Sequence, residues 1–353
     1  MTSIADSGFW RSRRVLVTGH TGFKGTWLCA LLLRRGATVS GLALEPDTTP
    51  SLWALAPYAG EVDSRIVDVR DGDRVAATVA ELRPQTIFHL AAQPLVRRGY
   101  AEPVYTYATN VMGTVHVLDA ARTVDGIQNV VVITSDKVYA DDPQPNGYTE
   151  DARLGGADPY AGSKAAAELA VETYRSAFFS RAGAALVVSA RAGNVIGGGD
   201  FAADRLIPDA YRAVEAREAL RLRHPGAVRP WQHVLDPLHG YLALARAVAG
   251  GTTAHGSYNF GPAPVAVTVR EVVERFMTAI GAAADRRIVV EPSDQHETGV
   301  LRVDSTRAQT ELGWQPRLDT NRAIDAAAAW YRDFLAGEPV DRLVARDLDA
   351  YTG

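Results

Sequence analysis

Tyr160 and Lys164 stand four residues apart in PYAGSK, a spacing that puts a phenol and an ammonium on one face of a helix beginning near Pro159. A lysine beside a tyrosine favours phenolate over phenol, lowers a pKa that is about 10 in water, and makes the oxygen a base near neutral pH. Alone, Tyr-x-x-x-Lys is common, and most instances are a surface tyrosine beside a solvated lysine. Here the pair follows ITSDKVY, which carries Ser135, Asp136 and Lys137, and the chain opens with TGHTGFKG. Together these segments point to an enzyme that moves a hydride through a bound nicotinamide cofactor.

The elements needed to position that chemistry are legible around the glycines. RRVLVT reads as a buried strand over 14–18. Gly19, Gly22 and Gly25, with Phe23 among them, allow a tight turn and a close approach of backbone to pyrophosphate. The helix expected from Lys24 to Arg35 aims its first amides at that anion. A second strand, ATVSGLAL, runs up to Glu45, and this context makes the glycine triplet a dinucleotide site. Glu45 would accept hydrogen bonds from the adenosine ribose and repel a 2′-phosphate, favouring NAD; Lys24, a cation in the turn, works the other way and leaves NADP open. The plainer reading of either charge is solvated surface.

The 353 residues exceed what one core organises, so a cofactor domain with a smaller attached region is expected. A net charge of −4 gives no general attraction to nucleic acid or to an anionic membrane. Cys29 is the only cysteine, which excludes an intrachain disulfide or a cysteine zinc cluster; inside the first helix it reads as an inert core residue. The histidines lack ligand spacing, so no metal is expected. With neither a signal-peptide core nor 18 consecutive apolar residues, a soluble cytoplasmic protein is the default.

Strand and helix signals alternate over the first half of the chain. Further strands fall at 64–69, 85–91, 129–135 and 185–191, with a later return at GSYNFG. Helical stretches lie near 72–82, 103–123, 159–178, 204–216, 236–249, 268–280 and 320–336. The fold class is α/β, a Rossmann-type doubly wound parallel sheet with a smaller, mostly C-terminal substrate-binding region. Residues 1–191 form the cofactor domain, with a return near 232–262, while 192–231 and 263–353 hold the substrate.

TGHTGFKGTW, HLAAQPLVRRGY, TNVMGTVHVLDA, ITSDKVY, DPYAGSK, RAGNVIGGGD and RPWQHVLDPL, in this order, closely resemble the CDP-glucose 4,6-dehydratases. These form part of the NDP-sugar dehydratase branch of the extended short-chain dehydrogenase/reductase superfamily. The resemblance runs from about Phe9 to Trp330; the Ser-Asp-Lys triplet and RPWQHV are its specific parts. It implies a redox-neutral lyase for deoxysugar biosynthesis. CDP-glucose would be oxidised at carbon 4, lose water across carbons 5 and 6, and take the hydride back at carbon 6, with NAD recycled.

On that reading Tyr160 and Lys164 accept the carbon-4 hydroxyl proton while Ser135 hydrogen-bonds the same oxygen. Asp136 becomes the acid for the departing 6-hydroxyl, which needs a raised pKa. Lys137 stands where the related dTDP-sugar dehydratases carry a glutamate, and becomes the carbon-5 base provided that burial and Lys164 lower its ammonium pKa. A plain dehydrogenase has no need of Asp136 and Lys137. Otherwise Ser-Asp-Lys would be a strand-end turn.

The resemblance further implies that Asp68 and Val69 meet adenine, that Ala91, Ala92 and Gln93 line the nicotinamide ribose, and that Asn194 bonds the diphosphate or sugar. Arg205 and Arg229 are the expected forks for a diphosphate. Trp231 is read either as a substrate wall or as a plug at the domain junction. Arg302, with His296 and Glu297, is expected to close the other side, and Asn110 to tie neighbouring strands through its amide. The segment 138–156 departs from these relatives, which leaves the nucleotide base open. Another NDP-sugar dehydratase or an epimerase is the nearest alternative; a non-catalytic NAD(P)-sensing regulator is the alternative of another class, disfavoured by intact Ser135, Tyr160 and Lys164. Relatives of this kind pair helices like 103–123 and 159–178 into a four-helix bundle, so a homodimer is expected.

Overall fold

The computed structural model describes residues 8–142, 144–251, 256–263, 267–282, 288–291 and 301–352. Strands β1 (Arg14–Thr18), β2 (Thr38–Ala43), β3 (Asp63–Ile66), β4 (Thr86–His89), β5 (Asn129–Ile133) and β6 (Leu186–Ala192) join a last strand, Ser257–Phe260, in one sheet. The order is last strand, β6, β5, β4, β1, β2, β3, and every neighbouring pair is parallel. β4 and β5 are buried along their whole length, and β5 accordingly carries the apolar run Val-Val-Val-Ile after Asn129. The strand order reverses between β1 and β4, and a crevice opens there beyond the carboxyl ends.

Helices cover both faces. On one, Gly72–Leu82, Gly113–Thr123 and Pro159–Phe178 contribute Val75, Val79, Val117, Leu118 and Val171 to a core against the sheet. On the other, helix α1 (Phe23–Arg34) supplies Trp27, Leu28 and Leu31, and Leu235–Ala249 supplies Leu238 and Tyr241. That second core continues without a break into a cluster built from Leu206–Ala216, Val269–Ala279 and Thr320–Leu335, where Tyr211 stacks on Tyr331 at 4.8 Å. The later segments are therefore packed onto the sheet domain by shared apolar surface.

Three details depart from the expectations above. The third strand ends at Ile66, three residues before Val69, because the chain leaves the sheet edge after Val67 donates to the Ala43 carbonyl at 2.9 Å. The stretch 103–123 is interrupted by a wide π turn over Ala108–Met112. The C-terminal helix Val340–Thr352 was not foreseen, although Leu343, Val344, Leu348 and Tyr351 lie buried at helical spacing.

Candidate active site

The glycine turn brings three stretches of backbone into contact. Gly19 has φ +73°, and a Cβ there would stand 2.7 Å from the Ala91 nitrogen; a Cβ on Gly25 would stand 2.1 Å from the Gly19 carbonyl oxygen. No side chain fits at either place. Gly22, at the N-cap of α1, brings no capping side chain, so the first amides of the helix are left for a ligand. This backbone cradle fits the diphosphate of a dinucleotide.

Above the crevice lies a cavity of about 770 Å³. Gly19, Gly22, Phe23 and Gly25 line it from the turn, Glu45 from the end of β2, Asp68 and Val69 from beyond β3, and Ala91, Ala92 and Gln93 from beyond β4. Ser135, Asp136 and Lys137 enter from the turn after β5, Tyr160 and Lys164 from the helix Pro159–Phe178, and Asn194, Arg205, Arg229 and Trp231 from the chain after β6. The long helix starts where it does because Asp158 accepts the Ala161 amide at 2.9 Å and Pro159 occupies its first turn.

Ser135 caps the short turn Asp136–Val138, accepting the Lys137 amide at 3.2 Å and donating to Asp136 Oδ1 at 3.0 Å. The other carboxyl oxygen, Oδ2, is buried without a hydrogen-bond partner. Burial raises the Asp136 pKa, with Lys137, the Ser135 hydrogen bond and Arg229 opposing. The shift is toward the neutral carboxylic acid. Gly193 makes room for it, since a Cβ there would stand 2.8 Å from Asp136 Oδ2 and 2.5 Å from Pro230. Lys137 is half-buried beside it.

The pair Tyr160–Lys164 differs from expectation. Burial dominates and pushes the phenol up to about 12; the Ser135 hydrogen bond and Arg205 work against this, and Asp136 adds to it. Lys164 instead donates to the Ile133 carbonyl at 3.1 Å. Burial lowers its ammonium to about 8, with Glu168, one turn further along the helix, resisting.

Lys24 is likewise not a solvated charge at the cofactor's outer end. Its ammonium donates to the Tyr241 hydroxyl at 2.9 Å, and burial, Lys164 and Arg205 lower its pKa to about 7 while Asp136 raises it. The resemblance had no signal for this, because a lysine inside a glycine turn looks like surface.

Several other placements refine the sequence reading. Arg302 is not among the cavity-lining residues: its carbonyl accepts the Tyr148 amide at 3.0 Å, and Leu301, its neighbour in extended chain, lines the cavity instead. His296 and Glu297 lie outside the described residues. The Asp68 carboxylate is taken by Arg70, which holds it below its ordinary pKa. Gln93 spends its amide on Leu95 and Thr106, at 3.0 and 2.9 Å. Asn110 ties the Gln93 backbone to Ser163 on the long helix, a loop-to-helix bond in place of the strand-to-strand bond expected. Trp231 is buried at the cavity wall with its indole N–H unpaired. Arg205 is held by Asp200 at 2.9 Å. Burial pushes the Cys29 thiol pKa up. Among the described residues no group of three His, Cys, Asp or Glu side chains stands close enough for a metal, and no helix is long and apolar enough to cross a membrane.

Residues 16–326 match the family model described as GDP-mannose 4,6 dehydratase. The chain is 42% identical to a CDP-glucose 4,6-dehydratase of Salmonella typhimurium, covering 98% of each chain. It is 30% identical to a dTDP-glucose 4,6-dehydratase of Streptomyces griseus, covering 90% of this chain and 93% of that one. Among solved structures it is similar to a dTDP-glucose 4,6-dehydratase from Streptomyces venezuelae with NAD bound, at a TM-score of 0.78 and 25% identity, covering 93% of this chain and 99% of that one.

Proposed function

The chain belongs to the GDP-mannose 4,6 dehydratase family, and from that premise we propose that it dehydrates CDP-glucose to CDP-4-keto-6-deoxyglucose with NAD as its resident cofactor. The observation that carries the reading is the company in one cavity of a buried carboxyl with a raised pKa, a second amine beside it, and the Tyr160–Lys164 pair. The identity to a CDP-glucose 4,6-dehydratase supports the choice of nucleotide sugar. Gly19, Gly22 and Gly25 would hold the NAD diphosphate against the first turn of α1, with Glu45 at the adenosine ribose. NAD supplies a hydride acceptor that later gives the hydride back, so the overall reaction is redox-neutral.

The protein's own groups then have distinct tasks. Tyr160 takes the carbon-4 hydroxyl proton, which requires the occupied site to bring its phenol down from the value of about 12 that burial sets, and Ser135 steadies the oxygen. The ketone acidifies the proton at carbon 5, which Lys137 removes. The C5–H electron pair becomes the C5–C6 double bond, the C6–O bond breaks, and the leaving oxygen carries off the Asp136 proton as water. The proton held by Lys137 returns to carbon 5. Arg205, Arg229 and Asn194 engage the substrate diphosphate or sugar, and the segments 192–231 and 263–353 make up the substrate-binding region.

Incubation with CDP-glucose and NAD in heavy water tests the reaction by mass spectrometry. The expected product is about 18 Da lighter before counting one deuterium at carbon 5, with no net change in cofactor absorbance. Untouched CDP-glucose beside a consumed UDP-, GDP- or dTDP-sugar would overturn the substrate.

The protein is further proposed to be a homodimer through the helices of 103–123 and 159–178. Val104, 82% exposed, stands on these helices with exposed Tyr107, Met112, Leu169 and Phe178, an apolar face that a partner copy would cover. Sedimentation at micromolar concentration should give twice the 37.9 kDa chain mass, and a purely monomeric profile would refute the pairing.

A further inference from the structure

The two arginines assigned to the diphosphate are both engaged in the resting site: Arg205 pairs with the buried Asp200 at 2.9 Å, and Arg229 donates to the Val228 carbonyl at 2.9 Å. A second pair of cavity-lining arginines is held differently. Arg97, on the short helix Val96–Ala101 beyond β4, donates to Asp204 Oδ1 at 2.6 Å. Arg223, just after the strand Leu220–Leu222, stands 3.8 Å from the same oxygen. Among the described residues these are the only ion pairs of either arginine. Arg97 comes from the chain after β4, Asp204 and Arg223 from the chain after β6. All three line the cavity while keeping a third to a half of their side-chain surface exposed, so they stand at its rim. Asp204 takes its place with φ +62°, a left-handed conformation that aspartate and asparagine tolerate better than most residues.

We propose that Arg97 and Arg223 form an entry site for a nucleoside diphosphate, and that Asp204 is a resident carboxylate that keeps both guanidiniums at the rim until the diphosphate displaces it. The inference deepens, and rests on, the nucleotide-sugar reading. In a nucleotide sugar with a neutral hexose the diphosphate is the charged part, so a charged rim is where such a substrate is first met. One carboxylate serving two guanidiniums leaves a positive charge over. A diphosphate matches both charges and offers each guanidinium a fork of oxygens. The exchange is easy, because an ion pair this exposed contributes little to stability. Asp200 has no such freedom, since its carboxylate is buried against Arg205.

The test is calorimetric titration of the NAD-loaded, full-length protein with CDP. Arg97→Gln and Arg223→Gln should each weaken binding by about tenfold at low ionic strength, and by less at about 1 M salt, where charges are screened within about 3 Å. Asp204→Asn removes the competing charge and keeps the shape and backbone tolerance of the residue, so it should tighten binding by about threefold. Thermal unfolding of each variant checks that it is folded. The sign at Asp204 decides between exchange and a mere tie across the rim: a tie predicts that Asp204→Asn binds CDP more weakly, and weaker or unchanged binding there overturns the exchange. Unchanged affinity in either arginine variant overturns the entry site and leaves the dehydration reading intact. If the wild type takes UDP, GDP or dTDP in place of CDP, the choice of base fails and the same series with that nucleotide decides the inference. Binding of none of the four overturns both.

Discussion

Lys137→Met is expected to leave oxidation at carbon 4 running and to stop the loss of water, lowering turnover by about 10²–10⁴-fold, the usual contribution of one positioned acid or base. Methionine keeps the length and apolar stem of the side chain and lacks the basic nitrogen. The local backbone should survive, because the Asp136–Val138 turn is capped by Ser135 accepting the amide of residue 137, which any side chain leaves in place. In a single turnover with CDP-glucose, absorbance of reduced nicotinamide should build up and persist. Mass spectrometry of the quenched sugar should find a species two hydrogens lighter than substrate and still carrying its 6-hydroxyl. Tyr160→Phe provides the contrast, because it removes the group that starts the sequence and should suppress both signals. If the Lys137 variant forms product at the normal rate, or gives no reduced cofactor, Lys137 is not the carbon-5 base and the division of labour with Asp136 is wrong.

The parts of this site that could be read from sequence are those fixed by short-range geometry. Tyr160 and Lys164 share a helix face because four residues make about one turn. Gly19 and Gly25 are glycines because backbone fills the space a Cβ would need, and a strand followed by a helix signals that arrangement. The parallel sheet was legible because its central strands are buried on both faces and carry short apolar runs such as Val-Val-Val-Ile of β5. What depends on long-range packing was not. The destination of Lys24 is set by Tyr241, 217 residues away in sequence. The cavity lining includes Leu301 and not its neighbour Arg302, an offset of one residue that the sequence pattern does not reveal. The phenol of Tyr160 was expected to fall in pKa from its neighbour alone, whereas burial by the whole fold outweighs that neighbour. Local spacing carries no information about desolvation.

Long-range packing also supports Lys164 from beneath, and there the largest stability effect is expected. Glu168, one turn beyond Lys164, meets Arg191 of β6 at 2.8 Å, and both side chains are almost fully buried. Ser189 donates to the same carboxyl at 2.7 Å, Thr134 bonds its other oxygen, and the Arg191 guanidinium also reaches Tyr139 and Ser257. Burial alone would raise the Glu168 pKa; the Arg191 charge and these hydrogen bonds outweigh it and hold the carboxyl below its ordinary value of 4.5. Glu168→Gln therefore strands a buried guanidinium and should cost about 3–5 kcal/mol of unfolding free energy, out of a typical total of about 5–15. The double variant Glu168→Leu with Arg191→Met should recover much of that loss, since it removes both charges together. The pH dependence has a definite sign. Because the folded pKa is depressed, the unfolded chain binds the proton first; the Glu168 contribution is whole above about pH 4.5 and is lost as pH falls further through the folded value. Urea unfolding should thus separate wild type from Glu168→Gln most widely near neutral pH, and the gap should narrow below pH 4.5. A gap under about 1 kcal/mol at pH 7, the range of an exposed pair, would mean that water reaches this pair and that the helix carrying Lys164 is held by its apolar face alone.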